Sequence, residues 1–496
     1  MSYISTRDRS VKTTAAGAIA QGISKEGGLF VPESFPFFDS DDFKTLSELD
    51  YIGRAKFVLE RFLDDFTAEE LDYCVSGAYT DSFDDNAPAP IAKLGENTNI
   101  LELWHGPTCA FKDLALQLLP YLLTVSAAKT ATGQKIVILV ATSGDTGKAA
   151  LEGFKDVKGT EIIVFYPSDG VSAMQKLQMA SQAGENVHVF AIKGNFDDAQ
   201  TGVKKIFTDE EIKNKLFENG MNFSSANSIN WGRLAPQIVY YVSAYCDLLK
   251  DGTDLSKGFN VVVPTGNFGN ILAAYYAKKM GVPINKLICA SNSNNVLTDF
   301  IKSGTYDRNR KFFTTVSPSM DILISSNLER MLFELYDCDD KAIANLQSEL
   351  SSCGKYTVRD DVKEKLNELF YGGCCDDAQT LETIKNTFEE YGYLCDTHTA
   401  VAVNVYEQYK KETKDTRPTV IASTASPYKF AKSVLSAVSD AVAQDEFEYV
   451  RMLSEKTFTT APAPIAALKN AKVRFEQVCE SNTMKQAVFS ALGIDM

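Results

Sequence analysis

Six unbroken apolar runs, each followed by a helix-patterned stretch, constrain this chain more than any other feature. They are KIVILVAT (135–142), EIIVFYP (161–167), VHVFAIKG (187–194), FNVVVP (259–264), LICASN (287–292) and TVIASTA (419–425). A strand with one wet face alternates apolar and polar residues. These do not alternate, so both faces must be covered by helices, as in a parallel sheet. Right-handed strand–helix–strand crossovers follow, and ligands gather at the carboxyl ends of such strands. The fold class is therefore α/β.

The 496 residues exceed what one core organises, so several domains are expected. Residues 1–95 read as mainly helical, ending in DDNAPAPIAKLGENTNI, a linker and edge strand in which proline and charge break helix. Residues 96–330 read as the α/β core, with 130–200 as its smaller lobe. The stretch 331–396, rich in Lys, Glu and Asp with spaced leucines, reads as a helical insert, and 397–496 as the remainder of the large lobe with C-terminal helices.

Bulk charge excludes some partners. The net charge is -15, whereas a nucleic-acid binder needs a concentrated basic face. A few placed donors can still bind a small anion against that field. MSYISTRDRS has no apolar core of the kind a secretory signal needs, and the longest apolar runs are strand-length, so neither export nor a membrane span is expected. The 10 cysteines are scattered without a C-x-x-C pair and there are only 3 histidines, so no metal site is expected. Reduced thiols in a cytoplasmic protein account for the cysteines.

Five stretches could carry chemistry, and each has a simpler structural explanation. In HGPTCAFKDLALQLLP, Lys112 follows Phe111 at the entry to an apolar helix. Desolvation there would favour the neutral amine that imine formation requires, although a snorkelling lysine at a helix start is the simpler reading of the tripeptide alone. In VVVPTGNFGN, Gly266 and Gly269 separate a buried strand from a helix, so backbone N–H groups can face a phosphate at the helix N-terminus; an ordinary strand–helix loop is the alternative. ATSGDTGKAA offers a second such turn at Ser143, Gly144, Asp145 and Thr146. It fails as a nucleotide loop, because Thr142 and Ala149 stand where glycine and a magnesium-binding hydroxyl are needed. NSINWGRL gathers Asn227, Ser228, Asn230 and Arg233, whose guanidinium suits a phosphate or carboxylate, or else forms a polar cap with a surface arginine. Thr424 ends a buried strand, where its hydroxyl could meet an uncharged ring nitrogen or simply cap the next helix.

Taken together and in order, these stretches resemble the threonine synthase family. GGLFVPE (27–33), HGPTCAFKD (105–113), ATSGDTG (141–147), GNFDDAQ (194–200), NSINWGR (227–233), PTGNFGN (264–270), SPSMDILISSN (317–327) and STASPYKF (423–430) follow that family's pattern over nearly the whole chain, in its long enterobacterial and fungal form. The resemblance implies a fold type II pyridoxal-phosphate enzyme, similar to the tryptophan synthase β chain, with two open, twisted, mostly parallel sheets. It implies conversion of O-phospho-L-homoserine and water to L-threonine and phosphate. A serine/threonine dehydratase of the same fold type is the alternative. Lys112 would hold pyridoxal 5'-phosphate as a Schiff base and act as general base, with Phe111 near the ring. Gly266, Asn267, Phe268, Gly269 and Asn270 would take the cofactor phosphate, and Thr424 the pyridine nitrogen. The 143–146 loop would receive the substrate carboxylate, and Asn227, Ser228, Asn230 and Arg233 would serve the substrate phosphate. A monomer or weak homodimer is expected. The chain departs from the family pattern at Ser426, usually histidine, at Asn270, and at Trp104, where phenylalanine is common.

Overall fold

The computed structural model describes residues 1–495 except 85–86, 131–133, 143, 169–170 and 172. Two sheets dominate, both mostly parallel. The larger has six strands in the order Phe370–Cys374, Ile284–Ser291, Phe259–Pro264, Thr419–Ser423, Thr98–Glu102 and Ile91–Lys93. All its pairings are parallel except the last, which is antiparallel. The smaller has five strands, Val478–Glu480, Val187–Lys193, Thr160–Pro167, Lys135–Ala141 and Met221–Ser224, all parallel. The six apolar runs all form strands, and their residues are almost entirely buried because helices cover both faces.

Three features differ from the sequence reading. The N-terminal region is not helix alone. Lys12–Thr13, Tyr3–Ser5 and Phe30–Pro32 make a three-stranded antiparallel sheet, too short to leave a periodic signal. The 331–396 stretch is not purely helical either, since FYGGC at Phe370–Cys374 pairs in parallel with Ile284–Ser291. Two glycines hide that strand from propensity, yet a Cβ on Gly373 would lie 2.6 Å from the Val405 side chain, so the covering helix requires the glycine. The smaller sheet also recruits Met221–Ser224 and Val478–Glu480 from outside 130–200.

Helix packing fixes where Lys112 stands. The helix Asp113–Leu116 begins directly after it and lies against the helix Asp145–Phe154 of the smaller lobe. Their closest approach is at Gly153, where a Cβ would sit 2.0 Å from the Leu116 carbonyl oxygen. Backbone cannot yield as a side chain does, so Gly153→Ala must push the two helices apart. We expect it to lower stability by about 1–3 kcal/mol, seen as a lower Tm; an unchanged Tm would show that this contact is not tight. No helix among the described residues is long and apolar enough to cross a membrane.

Candidate active site

The segment before Lys112 is a folded loop held to the end of the strand Thr419–Ser423. The Phe111 N–H donates to the Thr424 carbonyl at 2.9 Å, and Ala110 bridges Ala425. Cys109 takes a left-handed φ of 56°, and the Asp113 carboxylate folds back to accept from the Thr108 N–H at 2.8 Å and its hydroxyl at 2.6 Å. Burial raises the Asp113 carboxyl to about 6, against the Thr108 hydrogen bonds. The loop thus aims Lys112 inward with little rotational freedom.

The Lys112 side chain is 13 % exposed, and its Nζ lies 5.1 Å from the Phe111 ring centroid. It makes no hydrogen bond with the described residues, and its ion-pair contact is with Asp145 Oδ2 at 4.0 Å. Burial pushes this amine down to about 8; Asp145 resists the fall, and Lys429 and Arg233 add to it. A lysine that loses its proton this close to neutrality is a usable nucleophile and base.

Asp145 opens its helix behind Gly144, whose φ of 151° and contact with Gln175 exclude a side chain. Its carboxylate accepts from Lys429 Nζ at 2.9 Å, Gln175 Nε2 at 3.1 Å and Ser319 Oγ at 3.3 Å. Burial opposes its ionisation, but Lys429 and Lys112 overcome this and hold it well below the usual carboxylate range. Ionised, this side chain can only accept, so it is no donor to the expected substrate carboxylate and instead engages the two lysines. Thr146 is half-buried beside it, and Ser143 lies outside the described residues. Lys429 was passed over in the sequence, although it stands in the STASPYKF motif.

The turn after Phe259–Pro264 reaches this cluster through Ser319, whose hydroxyl bonds Asp145 and whose carbonyl lies against Gly266. Phe268 is left-handed at φ 64°, an unusual state for a bulky residue that is commonly kept at functional turns. Its ring is buried against Phe370, so only its backbone is available to a ligand. Asn267 is exposed and its carbonyl accepts from the Asn327 N–H at 3.1 Å; Ser325 Oγ donates to the Gly266 carbonyl at 2.8 Å. A Cβ on Gly266 would come within 3.0 Å of the Ser319 carbonyl. The helix Gly269–Lys279 starts here without a side-chain cap, which leaves its N-terminus to an outside anion. Asn270 accepts from the Tyr241 hydroxyl, while its buried Nδ2 has no acceptor among the described residues.

The NSINWGR stretch divides. Asn227 is exposed and Ser228 half-buried, its carbonyl accepting from Asn327 Nδ2 at 3.2 Å. Asn230 is corrected: it caps the helix Trp231–Lys250 through the Gly232 N–H at 2.8 Å and donates to the Ile19 and Ser225 carbonyls. Both amide hydrogens are committed, so it is scaffold. Arg233 is different. It is buried, donates through Nη1 to the Ala226 carbonyl at 2.7 Å, and keeps Nε without a partner; no carboxylate among the described residues pairs with it. Burial lowers its guanidinium to about 10, so it stays charged at neutral pH. A buried, unpaired cation needs an anion. Thr424 is also settled locally. The turn Pro427–Phe430 is capped by Ser426 Oγ from the Tyr428 N–H at 3.3 Å, so the Thr424 hydroxyl is not the cap.

The site therefore holds a neutralisable amine, a fixed carboxylate, and two buried donors that lack acceptors beside an uncapped helix. Comparison with known proteins agrees with this chemistry. Residues 2–79 match the family described as threonine synthase N terminus, 86–358 the pyridoxal-phosphate dependent enzymes, and 399–488 the threonine synthase C-terminal family. Human threonine synthase-like 1 is 43 % identical over 432 residues, 85 % of this chain; the chain spans only 57 % of that protein's length. Threonine synthase of Saccharomyces cerevisiae is 36 % identical over 95 % of this chain and 97 % of its own. The solved structure of pyridoxal-phosphate-bound threonine synthase from Brucella melitensis superposes with a TM-score of 0.88 at 35 % identity, covering 99 % of both chains. Fold, site and sequence together place this chain in the threonine synthase family of pyridoxal-phosphate-dependent enzymes.

Proposed function

We propose that the protein is a threonine synthase, converting O-phospho-L-homoserine and water to L-threonine and phosphate with pyridoxal 5'-phosphate. The observation that carries this is the pairing of a desolvated Lys112 amine with two buried donors that lack acceptors among the described residues, Asn270 Nδ2 and Arg233 Nε. A dehydratase acting on an unphosphorylated amino acid needs pockets for its cofactor phosphate and its substrate carboxylate, and a phosphorylated substrate adds a third anion. Arg233, a buried cation with no carboxylate partner among the described residues, is suited to that added phosphate.

The residues present fit the cofactor. Lys112 would hold it covalently, the N-terminus of the helix Gly269–Lys279 with Gly266, Asn267 and Asn270 would take its phosphate, and Thr424 would meet its ring nitrogen. When bound, the cofactor supplies an electron sink for carbanions that the protein alone could not stabilise. The protein's own task is proton handling. Lys112 would serve as the base for the substrate Cα proton and would later return a proton. A hydroxyl at the ring nitrogen, in place of a carboxylate, leaves that nitrogen largely unprotonated and moderates the sink. The site works on a small molecule.

The test is direct. Purified protein supplied with O-phosphohomoserine should release phosphate and form threonine in equal amounts, while serine and threonine should yield little ketoacid. Ketoacid from threonine without phosphate release from phosphohomoserine would replace this reading with the dehydratase one.

A further inference from the structure

A second lysine shares the Asp145 carboxylate, and nothing in the reaction assigned above uses it. Lys429 is 1 % exposed, which makes its charge costly to bury. Its Nζ has two partners among the described residues: the Thr108 carbonyl at 2.8 Å and Asp145 Oδ1 at 2.9 Å. Thr108 lies on the loop before Lys112, and Asp145 opens the helix against which the helix after Lys112 packs. Thr108 holds Asp113, the residue after Lys112, and Asp145 offers its other oxygen to the Lys112 amine. The three groups form a row, lysine, carboxylate, lysine, in which the carboxylate is closer to Lys429 at 2.9 Å than to Lys112 at 4.0 Å.

That asymmetry matters. A buried carboxylate with one lysine for a partner closes on it and locks it as the ammonium. A simple bolt between loops would gain nothing from an ionic group, because well-packed apolar residues commonly do as well. We propose that Lys429 is a positioning residue: by holding Asp145 from the far side, it prevents that carboxylate from closing on Lys112 and leaves the Lys112 amine free to give up and regain its proton. The same positive charge, close to Lys112, acts in the same direction. The value of this arrangement for turnover rests on the proposed function, but the effect on the amine does not.

The test reads that amine alone. Full-length protein stripped of cofactor is labelled with acetic anhydride across pH, and acetylation of the Lys112 peptide is followed by mass spectrometry. Wild type should reach half-maximal labelling near pH 8, the value to which burial brings this amine. In Lys429→Met the midpoint should rise by at least one unit, with about tenfold less labelling at pH 7. The double variant Lys429→Met with Asp145→Asn removes the clamping carboxylate too, and should return the midpoint to wild type or below. An unchanged midpoint in Lys429→Met overturns the proposal. So does a rise that the double variant fails to reverse, since loosened packing would then explain it. Because no substrate is present, a wild-type protein that releases no phosphate would refute the proposed function and leave this result standing.

Discussion

Lys112→Ala should remove both the cofactor's visible absorption and phosphate release. In the proposed function two roles meet on one nitrogen, that of covalent anchor and that of proton carrier at substrate Cα. Loss of a positioned general base alone lowers a rate by about 10²–10⁴-fold, and loss of the anchor adds to that. No neighbour can substitute. Lys429 is tied to the Thr108 carbonyl and the Asp145 carboxylate. Folding should not suffer, because Lys112 makes no hydrogen bond with the described residues and removing a desolvated amine relieves a burial cost. Phosphate release by the variant within tenfold of wild type would remove Lys112 from the chemistry.

Arg233→Ala should separate substrate binding from cofactor binding. The guanidinium is buried, charged and without a carboxylate partner, and its Nε has no acceptor. If it receives the substrate phosphate, the missing charge-assisted bonds are worth about 1.5–3 kcal/mol. That corresponds to a rise in KM for O-phosphohomoserine of about 10–150-fold, with the visible band retained. Thermal stability should fall little, since the buried charge was never offset within the protein. An unchanged KM would take Arg233 out of the substrate site. A lost absorption band would move it to the cofactor phosphate instead.

Much of this architecture was legible because parallel strands covered on both faces leave continuous apolar runs, as at Ile136–Val140 and Val261–Val263. Lys112 and the glycine turn were legible for a related reason: each lies directly at the end of such a run or the start of a helix. What escaped notice was produced by packing between distant segments. FYGGC pairs as a strand only because Ile284–Ser291 offers an edge and a helix presses on Gly373. Asn230 looked like a ligand residue, but the helix Ala15–Gln21 ends where its amide can reach the Ile19 carbonyl. Asp145 reads from sequence as part of an anion loop, whereas its side chain is engaged by Lys429 from the other end of the chain. No local pattern encodes that meeting. The motif containing Lys429 was visible, but only the fold shows what its amine touches.

In the proposed function one buried amine, that of Lys112, carries pyridoxal phosphate, with the uncapped helix at Gly269 taking the cofactor's phosphate. Borohydride reduction of the untreated protein, followed by peptide mapping, tests it most directly. The visible band should vanish on reduction, and the pyridoxyl group should be found on the peptide that contains Lys112. A protein with no visible band after supplementation with the cofactor, or a pyridoxyl group on Lys429, would contradict the account.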